Sequence, residues 1–139
     1  MLSVRTWASH WARHTCPLGE ETNMTVTTPE SEALRKLVPS ILDEVVATVD
    51  PARVILFGSV ARGEAGPESD LDLLVVLDHL DAAERAHLMG TIRFAVTAPA
   101  AIDTFVTDVE EYERRKDVNG SMKYWPCREG EVVYERTVA

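Results

Sequence analysis

At 139 residues, with 45% hydrophobic and 27% charged residues, the chain is long enough for one domain with a real core and too short for two, and its composition excludes disordered and fibrous classes. A net charge of −9 argues against autonomous binding to a nucleic-acid backbone, which draws affinity from Lys and Arg neutralising phosphates; a basic protein partner fits better. No stretch approaches the roughly 20 apolar residues of a membrane span, and Cys16 and Cys127 lie far apart with no metal-ligand spacing, so a soluble protein of the reducing cytosol is expected, without a disulfide framework or zinc site.

Residues 1–23 have no continuous apolar region or small-residue cleavage site and do not read as a secretory signal. His10, His14 and Cys16 could bind a metal if helical, but the segment reads as a flexible extension, with the domain proper spanning 24–139. Thr27 and Thr28, followed by Pro29 and Glu30, form a helix-start signal. Leu34, Leu37, Val38, Ile41, Leu42, Val45 and Val49 then make a helical stripe, in which Pro39 predicts a kink or two short helices in series.

Arg53 to Phe57 reads as a buried strand ending at Gly58, and Ser59 to Arg62 as a helical turn that Gly63, Gly66 and Pro67 end. Asp70 to Leu77 opens with alternation and becomes continuously apolar, the pattern of a central strand. The link between these two strands is too short for a parallel crossover, so they should pair antiparallel. Ala82 to Val96 reads as a helix closed by Pro99, and Ile102 to Thr107 as a third strand. Asp108 should cap a helix through Tyr112 and Lys116, Asn119-Gly120 marks a turn, and Val132 to Tyr134 is a last short strand.

The chemistry concentrates in Gly58-Ser59-Val60-Ala61-Arg62-Gly63 and Ser69-Asp70-Leu71-Asp72. Side chains alternate along a strand, so Asp70 and Asp72 share a face. Two like charges so close call for a divalent cation, and Mg²⁺ suits carboxylates and substrate phosphates. Antiparallel pairing brings Gly58-Ser59 beside them: Gly58 permits close backbone approach, and the Ser59 hydroxyl and following amides can donate to phosphate oxygens. Two readings stand for Arg62, phosphate contact or pairing with an acidic neighbour. Asp103, a charge in an otherwise apolar strand, is expected to be the third carboxylate of a two-metal site, nearest the attacking hydroxyl. The alternative for Asp103 is an edge-strand charge facing water. Lys123, Tyr124, Trp125 and Arg128 could form an adenine or partner surface, but a Tyr-Trp pair reads more often as core or rim packing.

Gly58-Ser59, ten intervening residues and Asp70-x-Asp72, with Ala61-Arg62-Gly63 in the gap, resemble the signature of the polymerase-β-like nucleotidyltransferase superfamily and its minimal nucleotidyltransferases. The resemblance runs from about Met24 to the closing Gly-Glu-Val-Val-Tyr. It implies an α+β fold with a small mixed β-sheet packed against helices. It implies that Gly58 and Ser59 bind the nucleotide, with Arg62 a candidate beside them, that Asp70, Asp72 and Asp103 are catalytic and bind metal, and that two Mg²⁺ ions and ATP take part. Many minimal nucleotidyltransferases resemble the antitoxin half of HEPN/MNT toxin–antitoxin systems. The MntA-type antitoxins transfer AMP to a tyrosine of a HEPN-domain ribonuclease toxin. That kinship implies a cytoplasmic protein adenylyltransferase in complex with its toxin. A small-molecule adenylyltransferase of the aminoglycoside type and a non-catalytic antitoxin that neutralises by binding are the rival expectations.

Overall fold

The structure, a computed structural model, describes residues 27–118 and 124–137. The expected extension over 1–23, the Asn119-Gly120 turn and Lys123 lie outside the described residues, as do the side chains of Tyr124 and Trp125.

Helix α1 (Pro29–Val49) begins where the sequence signals it: the Thr28 hydroxyl accepts from the Ser31 amide, Pro29 opens the first turn, and Glu30 and Glu32 complement the helix dipole. The helix is one element through Pro39, so of the two outcomes expected there, a kink or two short helices in series, the second does not occur. Pro39 is exposed, and the stripe of Val38, Ile41, Leu42 and Val45 is buried on both sides of it. Packing therefore carries the helix across the missing donor. Asp50 ends it in the left-handed region, φ 47°, with its amide bonded to the Val46 carbonyl.

Strand β1 (Arg53–Phe57) runs into the short helix α2 (Gly58–Arg62), which Gly63 closes at φ 77°. Then follow β2 (Leu71–Leu77), α3 (Ala82–Ala95), β3 (Ile102–Asp108), α4 (Val109–Arg115), α5 (Tyr124–Glu129) and β4 (Glu131–Glu135). Asp108 caps α4 by accepting from the Glu111 amide, as its position predicted. Helix α5 has no counterpart in the sequence expectations. Pro126 sits in its first turn, where a missing amide proton is harmless.

The sheet order is β3-β2-β1-β4. β1 pairs antiparallel with β2, as the short connection required, and also with β4, while β2 and β3 are parallel with α3 as the crossover. The sheet is mixed, and the fold is α+β. On one face Val54, Leu56, Leu71, Leu73, Val75 and Val106 pack under α1 and α3. On the other, Ile55, Leu74, Val76 and Val132 pack with Tyr112 of α4. Both faces of β2 are covered, which is why its second half is continuously apolar. Among the described residues no helix is long and apolar enough to cross a membrane.

Candidate active site

Two neighbouring registers build the site. Asp72 of β2 lies opposite Phe57 of β1 and, on its other side, opposite Asp103 of β3. The period of two puts both carboxylates on the α4 face of the sheet, the face of Leu74 and Phe105. Asp70 precedes the strand by one residue at the same end. Phe57 and Phe105 close the floor beside them, ring centroids 5.9 Å apart.

Gly58 stands at the junction of β1 and α2 with φ 82°, the left-handed region in which glycine is favoured. A Cβ there would fall 2.1 Å from Asp72 Oδ2 and 3.0 Å from its Cγ. The Asp72 carboxylate therefore occupies the space that a side chain at 58 would take. Gly58 and Asp72, distant in sequence, lie against each other, and the antiparallel β1–β2 ladder is the cause.

The electrostatics at Asp72 are unusual. Burial first, then the negative charges of Asp103 and Asp70, push its carboxyl up from 3.8 to about 6, against the lowering influence of Arg62; Glu129 adds to the rise. The group is held in like-charged surroundings at the edge of a buried face. Among the described residues no three His, Cys, Asp or Glu side chains converge on one ligand point. The three aspartates are neighbours in charge and register rather than a closed cage. Hard oxygen donors and mutual repulsion at a half-buried carboxylate suit a divalent cation.

Arg62 is engaged by acidic neighbours: its Nε donates to Glu64 Oε1 at 2.9 Å and its Nη1 to Glu129 Oε2 at 2.8 Å. Of its two sequence readings, the structure displays this one, with Arg62 close enough to influence Asp72. Asp103 is exposed on the edge strand β3. The argument that its charge would be buried is thereby corrected: its neighbour across the ladder, not desolvation, ties it to the site. The structure also brings in Glu129 at the end of α5, which the sequence reading passed over. The only signal for it was a Pro in a possible first helical turn.

The turn bearing Ser59 is fixed from a distance. The Ser31 hydroxyl accepts from the Ala65 amide at 2.8 Å, the Thr28 hydroxyl donates to the Ala65 carbonyl at 2.8 Å, and the Thr28 amide donates to the Gly63 carbonyl at 3.0 Å. Arg35 adds a bond from α1 to the Ala61 carbonyl. The start of α1 thus holds Ala61, Gly63 and Ala65, downstream of Gly58.

Comparison with known proteins agrees with this geometry. A family model described as a nucleotidyltransferase domain matches residues 35–126, which include Gly58, Ser59 and all three aspartates. Among solved structures, a protein of Sulfolobus solfataricus assigned as a nucleotidyltransferase is similar, with a TM-score of 0.53 and 24% identity over 76% of this chain and 84% of that one. That likeness concerns the fold. The comparison with curated proteins gives no match.

Proposed function

The chain belongs to the nucleotidyltransferase domain family, and from that premise we propose that it transfers AMP from ATP to a protein acceptor, a tyrosine of a HEPN-type ribonuclease toxin, as that toxin's antitoxin. The observation that carries the transferase chemistry is the close approach of Gly58 to Asp72, whose carboxyl is raised to about 6 by burial first and then by the charges of Asp103 and Asp70. The protein acceptor and the antitoxin role rest on the motif resemblance and on the net charge of −9, which suits a basic partner.

Asp70 and Asp72, with Asp103, would hold Mg²⁺, which when bound offsets the negative charge of the triphosphate and of the carboxylates themselves. The chain's residues do the rest. Gly58 lets the Asp72 carboxylate lie against bare backbone at the end of β1, and the Ser59 hydroxyl donates to a phosphate oxygen. Arg62, released from Glu64 or Glu129, supplies a cation to the same phosphates. In the transfer the acceptor oxygen bonds to the α-phosphorus, the bond from that phosphorus to the bridging oxygen breaks, pyrophosphate leaves, and Asp103 takes the hydroxyl proton.

The test is to mix the protein with a HEPN-type partner, Mg²⁺ and each NTP, and to read intact masses against a D70N/D72N control. Gain of nucleoside-monophosphate mass on the partner, only with intact carboxylates, is the expected result. Tight binding without mass gain for any NTP would replace the transferase with neutralisation by occlusion.

A further inference from the structure

Strand β3 ends the sheet and is paired on one side only. The Ala101 carbonyl accepts from the Leu71 amide at 2.9 Å. Main-chain groups alternate in direction along a strand, so those of Asp103, Phe105 and Thr107 also point to β2, and those of Ile102, Thr104 and Val106 point out of the sheet. The far half of this edge is covered: Arg85 Nη1 of α3 donates to the Val106 carbonyl at 2.7 Å, and Glu111 holds the same guanidinium. Among the described residues no hydrogen bond uses the outward groups of Ile102 and Thr104. The half left open is the one beside the site, because Asp103 stands between these two residues and opposite Asp72. The other edge of the sheet, β4, lies beyond β1.

Two hollows of ≈ 170 and ≈ 190 Å³ border the open half on the α3 side. Ile102, Thr104 and Arg93 line both, with Met89 in one and Val96 in the other. Gly90 of α3 lines the first and has nothing within 4 Å of where its Cβ would stand, so the helix leaves room along the edge. Open main-chain donors and acceptors with space for alternate side chains suit another extended main chain. We propose that an extended segment of the acceptor protein adds to β3 at Ile102 and Thr104. The inference rests on the transferase reading, since Asp103 joins the edge to the site. Side chains of the added strand alternate between two faces. One set lies over the hollows, where a carboxylate pairs with Arg93, which among the described residues makes no ion pair. The other set lies on the face of Asp103, where the modified tyrosine stands.

A fluorescein-labelled peptide of alternating Thr and Val, with one Glu and one Tyr on opposite faces, is titrated against the full chain and followed by anisotropy. Two further versions carry N-methyl groups on one or the other alternating set of main-chain amides. Only one set can face β3, so one version should bind about tenfold or more weakly than the other. Exchanging the Glu for Gln, or R93Q in the protein, should each weaken binding about threefold, and the two losses should not add. T104P removes an outward amide and no ladder bond, and should abolish binding while the fold persists. If T104P folds poorly, slower hydrogen exchange at Ile102 and Thr104 of wild type on adding the peptide reads the same contact. Equal binding of the two methylated versions, no binding of the parent peptide, or full binding by folded T104P overturns the proposal. Methylation-sensitive binding without AMP transfer to the peptide under Mg-ATP leaves the docking edge standing and removes the transferase reading. Transfer that T104P and R93Q leave unchanged does the reverse.

Discussion

Replacing Asp72 with Asn should make the protein more stable at neutral pH while abolishing transfer. The carboxyl titrates near 6 in the folded chain and at an ordinary 3.8 when unfolded. Between those two values the native state binds more protons than the unfolded state, so stability falls as pH rises through the window and is lowest above pH 6. The whole gap corresponds to about 3 kcal/mol; Asp72 is only half-buried, and screening by solvent reduces this to ~1–2 kcal/mol. Asn removes the charge with almost no change of shape. D72N should therefore melt roughly 3–10 °C higher than wild type at pH 7.5 in a chelator, and the difference should shrink steadily toward pH 4. Thermal unfolding followed by circular dichroism at pH 7.5, 5.5 and 4 measures this. Equal melting temperatures at pH 7.5, or a difference that does not change with pH, would refute the electrostatic account of the site. Mg²⁺ should then raise the melting temperature of wild type and not that of D72N.

G58A places a Cβ 2.1 Å from Asp72 Oδ2 at φ 82°. The backbone term costs about 1–2 kcal/mol, and because the carboxylate must swing aside, transfer should drop about 100-fold, which pyrophosphate release measures. S31A leaves the Ala65 amide without its acceptor inside the protein and should lower the unfolding free energy by ~1–3 kcal/mol, read from the urea midpoint. R62Q breaks two solvent-exposed ion pairs, so stability should change by less than about 1 kcal/mol, whereas KM for ATP should rise severalfold. An unchanged KM would assign Arg62 to tying α2 to α5 and nothing more.

Much of the architecture was legible because local and global signals agree. The Thr28 cap with Pro29, the β-branched run from Arg53 to Phe57 and the apolar run to Leu77 each point to one element, and each element formed there. The antiparallel β1–β2 pairing followed from chain length alone. That pairing placed Gly58 against Asp72. What failed was legible only in three dimensions. Pro39 lies on the solvent side of a helix whose buried stripe outweighs one lost bond. Asp103 is exposed on an edge strand, as its alternative reading had it, and only the parallel register with β2 sets it beside Asp72. Helix α5 is six residues long and has no apolar period to read, so Glu129 stayed invisible until Arg62 was seen to hold it.

The two aspartates of the motif differ in how firmly the fold grips them. Asp72 belongs to a strand with a ladder on each side, so its main chain should exchange hydrogen only through global unfolding. Asp70 is outside the ladder, at the end of the loop that begins at Gly66, where the Ser69 hydroxyl accepts from the Gly66 amide. One carboxylate is fixed between two ladders, and the other stands outside them at the end of a loop. Insertions, deletions or sequence changes between Gly66 and Asp70 can therefore retune which acceptors reach the site while the geometry around Asp72 and Gly58 stays as it is, and exchange rates on either side of Leu71 would register that divide.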